Sequence, residues 1–200
     1  VIQGNAPEAL IDTYHTERAF AADDNILNST RSTDFITPKN AASKRYRNAV
    51  LALAKQHAFA RPLVNSGRLS TPTPYAESPL NTPDQDDWAG RMAPGTCAAD
   101  APVTVNGQPN WLLGQLGAGF TLLVAGVKAA PVDAGAFSPN LLVVGHDVID
   151  TEGKIAARYD TGAGAIYLIR PDQHVAARWR RFDAVKIRDA IIRATTGDAQ

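Results

Sequence analysis

Apolar positions change period about half-way along the chain, and that change predicts its organisation. From about residue 5 to 65 the spacing is helical. Leu10, Ile11, Tyr14 and Phe20 form one apolar set, and Tyr46, Val50, Leu53, Ala54 and His57 fall on a second stripe. Asn5 followed three residues later by Glu8 is a capping signature, with Pro7 suited to a first turn. Thr37-Pro38 repeats the signal, a cap residue before a proline at the first helical position. The expectation is a helical hairpin whose end is marked by Pro62 and Gly67.

Residues 67–105 hold six of the thirteen prolines. Pro72-Thr73-Pro74-Tyr75 and Ser78-Pro79-Leu80-Asn81-Thr82-Pro83 can continue neither a helix nor a central strand, because each proline lacks a donor and restrains its predecessor. This reads as an extended connector docked through Tyr75, Leu80 and Trp88. Beyond it, Phe120–Ala125 and Leu141–Val144 are short continuous apolar runs, the pattern of strands covered on both faces, and Ala165–Ile169 is a third. His174–Arg180 alternates: Val175, Ala177 and Trp179 fall on an inner face, His174, Arg178 and Arg180 on an outer face expected to be wet. Arg170-Pro171-Asp172-Gln173 is a turn, so the last two strands are expected to form a hairpin. The closing helix is predicted from Asp183 to Thr196, burying Ala184, Ile187, Ile191 and Ala194, with Gly197 as its C′ residue. The fold class is therefore α/β: residues 1–66 an N-terminal helical hairpin, 67–105 a proline-rich connector, and 106–200 a mixed-sheet domain.

Charge and composition narrow the function classes. The formal net charge is zero, so nothing in the whole-chain electrostatics favours nucleic acid or an anionic membrane. The densest basic group, Lys39, Lys44, Arg45 and Arg47, reads as a solvated helix face. No apolar run approaches the ~20 residues a membrane span needs. Cys97 is the single cysteine, which excludes an intrachain disulfide and a multi-cysteine zinc site, and fits a cytoplasmic protein. Asn28-Ser29-Thr30 is a formal glycosylation sequon, given no meaning within a helix.

The best candidate for a metal or acid–base cluster is His146 with Asp147, Asp150 and Asp160, which follow the apolar run ending at Val144, where α/β folds often place ligands. A lone histidine among carboxylates at a strand end is more often a turn or helix cap, and that is the expectation. His15 and His57 have no serine or cysteine partner at motif spacing. Gly114-Gln115-Leu116-Gly117-Ala118-Gly119 has the wrong spacing for a dinucleotide-binding turn and leads into a strand, so a loop is expected. No residue is assigned as catalytic, cofactor-binding or metal-ligating.

Two stretches resemble a known family. Gly4-Asn5-Ala6-Pro7-Glu8-Ala9-Leu10-Ile11-Asp12-Thr13-Tyr14-His15-Thr16-Glu17-Arg18 resembles the G-x-A-x-x-L-L-D-x-Y-x-x-E-R segment of class A FAD-dependent aromatic-ring hydroxylases. Ile166–Trp179 resembles the C-terminal thioredoxin-like domain of their phenol hydroxylase group, where the turn reads Arg-Pro-Asp-Gly. Here Gln173 replaces that glycine, and a type I turn without positive φ at this position is expected. Gly67-Arg68-Leu69, Ser78-Pro79-Leu80, Pro94-Gly95 and Leu116–Val124 resemble the same family in the same order. The nearest relatives by phrasing are the 3-(3-hydroxyphenyl)propionate and aromatic polyketide hydroxylases.

The resemblance implies an NAD(P)H- and FAD-dependent monooxygenase that hydroxylates a phenolic ring. Residues 1–66 would belong to its FAD-containing body, and Tyr14, Glu17 and Arg18 would pack and ion-pair there. The start at Val1 and the helix faces without partners then suggest the tail of a larger protein, with a packing role or a homodimer contact. Dithiol exchange needs a Cys-x-x-Cys, and redox thioredoxins carry a cis-proline where this chain has Thr161-Gly162-Ala163-Gly164. The thioredoxin-like domain is therefore expected to be redox-dead, with Cys97 structural. The alternative is a free-standing thioredoxin-like binding module with no enzymatic activity.

Overall fold

The computed structural model describes residues 1–196, and its secondary structure is α/β. The chain folds into two compact units, one of residues 17–73 and one of residues 1–16 with 74 onward. Gly197, expected as a C′ residue, lies outside the described residues.

Residues 17–73 are helical. Helix α1 (Leu10–Ile36) starts at Leu10 and not at the Asn5 signature, because the Pro7, Glu8 and Ala9 carbonyls take the Leu10, Ile11 and Asp12 N–H groups in tight three-residue turns first. Helix α2 (Ala41–Gln56) starts after Asn40, whose side chain accepts the Ser43 N–H at 2.9 Å. The expected start at Thr37-Pro38 is wrong because Thr37 closes the preceding helix: its N–H and its hydroxyl both donate to the Thr33 carbonyl. Arg47 then donates to the Ile36 carbonyl at 3.0 Å, satisfying one of the orphan acceptors at the end of α1. Helix α3 (Arg61–Val64) carries Pro62 in its first turn, so this proline opens a helix where an ending was expected. Arg68 and Thr73 both bond the Asp24 carboxylate and tie the end of this segment to α1. Of the expected α2 stripe only Val50 is buried.

The remaining unit opens, after the connector, with a hairpin that the periodicity does not predict: β1 (Pro102–Val105) and β2 (Gln108–Trp111), antiparallel. Asn106 and Gly107 link them with φ of 50° and 77°, the two positive values that a type I′ turn demands. The main sheet follows: β3 (Thr121–Ala125), β4 (Asn140–Val143), helix α4 (Lys154–Tyr159), β5 (Ala165–Ile169), β6 (Val175–Trp179) and helix α5 (Ala184–Thr196). Its strand order is β4-β3-β5-β6, with β3 and β4 parallel and the other pairs antiparallel. All four expected strands and the closing helix are thus present. The run ending at Val144 is an edge strand, however, with Asn140 exposed and Leu141 and Val143 half-buried.

Side-chain alternation divides the core into two layers. Leu122, Val124, Ile166, Leu168, Ala177 and Trp179 face α5, where Ile187, Ala190, Ile191 and Ala194 complete one apolar cluster. Asp183 caps that helix, accepting from Val185 and Lys186. Leu123, Leu142, Tyr167, Ile169 and Val175 face the other way, onto Ile155 and Tyr159 of α4 and Val103 of the hairpin. Val175 was expected on the Trp179 face. A register shift between Leu168 and Ile169 turns it to the opposite layer.

The connector is hydrogen-bonded to the free edge of β6. Thr82 N–H donates to Ala176, Gly95 N–H to Val175, and Ala98 N–H to Gln173, while Val175 donates back to Thr96. Gly95 permits this contact. Its φ is +88°, and a Cβ there would collide with the Tyr75 carbonyl. The β6 edge therefore lies under protein, and the expected wet face does not exist.

Candidate functional site

His146, Asp147, Asp150 and Asp160 do separate jobs. Asp147 accepts the Val143 N–H at 2.8 Å with one oxygen and meets His146 Nδ1 at 2.8 Å with the other. The Val143 N–H, then His146, hold its carboxyl below the usual carboxylate range. Asp150 accepts the Ala156 N–H at the start of α4. Asp160 accepts from Ala89 and pairs with Arg180, both of which lower its pKa. Among the described residues no group of three or more His, Cys, Asp or Glu side chains is arranged to hold a metal ion.

The outer face of β6 is the first polar centre. Arg178, expected in solvent, is only 6% exposed. Its Nε and Nη2 meet the two Asp84 oxygens at 2.9 and 2.6 Å, a bidentate fork of the strongest type. Arg180 donates to the Asp160, Asp87 and Gly164 carbonyls and pairs with the Asp160 carboxylate. Both guanidinium carbons lie over the Trp88 ring, 4.6 and 3.7 Å from its centroid, within cation–π range. Trp88 in turn packs on Tyr167, whose hydroxyl donates to the Tyr159 carbonyl. Burial pushes both tyrosine pKa values up. This arrangement anchors the connector to the sheet; its guanidinium donors meet protein acceptors, while the buried Trp88 Nε1 has no hydrogen-bond partner among the described residues.

The second polar centre lies at the β5–β6 turn. Gln173 has φ +65°, so the left-handed position that glycine usually occupies is kept and the expected turn without positive φ is corrected. Arg170 accepts the Gln173 N–H at 2.9 Å and donates its own to His174 at 2.8 Å. His174, also expected in solvent, is 8% exposed and stacks on Tyr75 at 4.7 Å between centroids. Its Nε2 lies 3.1 Å from Cys97 Sγ. Its Nδ1 faces Asp172, 3.2 Å from the carbonyl oxygen and 3.4 Å from the carboxylate. Burial alone would lower the His174 pKa, but the Asp172 and Cys97 hydrogen bonds outweigh it and raise it to about 9. Asp172 moves the other way: burial opposes the shift, but His174 and Arg170 hold its carboxyl far below the usual range. Cys97 and His174 stand too far apart in sequence to form a motif, and no spacing signal could have paired them.

The glycine-rich stretch 114–119 does not form a dinucleotide-binding turn. A dinucleotide site needs a glycine turn opening a helix, so that the pyrophosphate meets unpaired N–H groups. Residues 114–119 instead begin within a short 3₁₀ turn, Leu113–Gln115, and lead into strand β3. No helix among the described residues is long and apolar enough to cross a membrane.

No known protein-family profile matches the chain, and no curated protein matches it. Solved structures do. Aklavinone-11 hydroxylase, solved with FAD and aklavinone, shares 22% identity and a TM-score of 0.67 over 98% of this chain and 37% of its own. The flavin-dependent monooxygenase PieE, solved with FAD and substrate, shares 20% identity and a TM-score of 0.65 over 96% of this chain and 40% of its own. RebC, a rebeccamycin biosynthetic enzyme solved with reduced flavin, shares 22% identity and a TM-score of 0.63 over 98% and 38%. The chain spans well under half the length of each. At these identities the likeness is one of fold: the chain has the fold of part of an FAD-dependent hydroxylase.

Proposed function

We propose that these residues form the C-terminal, non-catalytic portion of a cytoplasmic, NAD(P)H- and FAD-dependent monooxygenase that hydroxylates a phenolic aromatic substrate. The observation that carries this reading is the pairing of near-complete coverage of this chain with coverage of only 37–40% of three flavin-dependent enzymes. In this reading residues 1–66 belong to the FAD-containing body, 67–105 connect, and 106–200 form a thioredoxin-like domain without redox cysteines. FAD bound to the remainder of the protein would supply the oxygen-activating chemistry.

The surface of the helices supports the assignment. Phe20, Ile26, Leu27 and Tyr46 are 52, 64, 49 and 62% exposed, and exposed apolar side chains on helices suit a protein partner. The occupant assigned to them is the FAD-containing body. The role of residues 67–200 is then to pack against that body or to form a homodimer contact.

The test is the gene. A Gly-x-Gly-x-x-Gly encoded far upstream of Val1, flavin absorbance of the full-length product, and phenol-dependent NAD(P)H oxidation are the expected results. A coding sequence that starts near Val1, giving a colourless product that does not oxidise NAD(P)H, would overturn the reading in favour of a free-standing binding module.

A further inference from the structure

Reactive side chains of this chain converge at the β5–β6 turn. Cys97 and His174 are backbone partners in an isolated antiparallel bridge, and the hydrogen bonds on either side, Ala98 to Gln173 and Val175 to Thr96, fix their register. Their side chains meet at 3.1 Å. The imidazole is oriented from two further directions, by Asp172 at Nδ1 and by the Tyr75 ring on its face. Arg170, itself 8% exposed, holds the Asp172 carboxylate at 2.6 Å. A nucleophile within hydrogen-bond reach of an imidazole, and a third group that orients the imidazole, are the geometry of an activated side chain. This is a three-residue constellation set by tertiary structure, not an isolated thiol.

We propose that Cys97 is a peroxide-reactive thiol activated by His174, with Asp172 and Tyr75 as positioning residues. Cys97 is half-buried beside the buried Gly95 and Ala98, so the approach suits a small reactant, and the substrate class is hydrogen peroxide or a small alkyl hydroperoxide. Sγ attacks the terminal peroxide oxygen; the S–O bond forms as the O–O bond breaks. Sulfur is oxidised by two electrons to a sulfenic acid, and the peroxide is reduced. The proton held between Sγ and Nε2 goes to the departing oxygen, which leaves as water or an alcohol. The Asp172 and Cys97 hydrogen bonds raise the His174 pKa to about 9, which favours an imidazolium with a proton at Nε2 to lend. The step differs from dithiol exchange, which the single cysteine excludes. With no second cysteine in these residues, the sulfenic acid waits for a thiol from outside them.

The experiment adds hydrogen peroxide to the 200-residue chain, traps the sulfenic acid with dimedone and reads the labelling rate by intact mass. The folded wild type is expected to react at least about tenfold faster than the same chain unfolded in denaturant. His174→Gln should lose that advantage, Asp172→Asn should fall between, and Cys97→Ser should not label. Equal rates for folded and unfolded wild type overturn the proposal without any variant. So does a folded His174→Gln that labels as fast as wild type, circular dichroism establishing that it is folded.

Discussion

Removing the Asp84 carboxylate tests whether the outer face of β6 is structural. Asp84→Ala deletes both acceptors of the Arg178 fork and leaves a guanidinium that is 6% exposed. What remains is the Trp88 ring, the Gly90 carbonyl at 3.4 Å and the Tyr167 hydroxyl. Each charge-assisted hydrogen bond contributes about 1.5–3 kcal/mol, and stranding a buried charge costs about 3–5 kcal/mol. The Asp84 side chain is itself 29% exposed, so water enters the vacated side and lowers the cost to roughly 2–4 kcal/mol. For a chain of this length each kcal/mol moves the melting temperature by about 2–4 °C, so Asp84→Ala should melt roughly 4–16 °C lower. The assay is thermal denaturation by circular dichroism, run as a cycle with Arg178→Met and the double variant. The double variant should regain most of the loss, since no buried charge is left. Asp87→Ala is the control: its carbonyl, not its carboxylate, meets Arg180, so it should shift stability by less than about 0.5 kcal/mol. If Asp84→Ala and Asp87→Ala melt alike, the buried fork contributes nothing and the reasoning fails.

Three further outcomes follow from the same geometry. Trp179 packs with Ile187 and Ile191, so Trp179→Ala should cost ~3–5 kcal/mol in a denaturant titration, and a loss under ~1 kcal/mol would refute its place in the core. Gln173 occupies a left-handed position, where a side chain costs about 1–2 kcal/mol, more than the roughly 0.5–1 kcal/mol of extra chain entropy glycine brings; Gln173→Gly should therefore raise the melting temperature, and a fall would refute the turn assignment. The folded His174 pKa is raised from 6.5 to about 9, so its contribution is complete below about pH 6.5 and is lost as pH rises through about 9. Wild-type stability should decline across that window and His174→Gln should lack the decline; parallel profiles would remove the ion pair from consideration.

Hydrophobic period reveals what depends on local burial. Thr121–Ala125 and Ala165–Ile169 are buried at every position, and α5 buries Ile187, Ile191 and Ala194 as its spacing predicts. Two elements escape it for identifiable reasons. Proline density carried the connector as far as residue 105, although Asn106-Gly107 between Val103-Thr104-Val105 and Gln108 is a strong hairpin signal. Helix α4 spans only Lys154–Tyr159, too short for a 3.6-residue period to show. The start expected at Thr37 falls before the observed one because a cap residue followed by proline also describes the end of a preceding helix, which is what Thr37 makes.

The candidate site was illegible for a different reason. Alternation says which side chains share a face of a strand, and it sorted Arg178 and Arg180 from Trp179 correctly. It cannot say what covers that face. A row of arginine and histidine opposite tryptophan reads as solvent-facing because charge is costly to bury alone. Burial becomes possible here because Asp84 and the carbonyls of Asp87 and Gly90 arrive from a proline-rich segment roughly ninety residues away, and because Cys97 from the same segment lies against His174. The prolines that made this segment look like a spacer keep it extended, and an extended backbone is what a free strand edge can pair with. Its acidic and thiol side chains then fall on β6 in a register that Gly95, through a φ of +88°, is the residue able to permit.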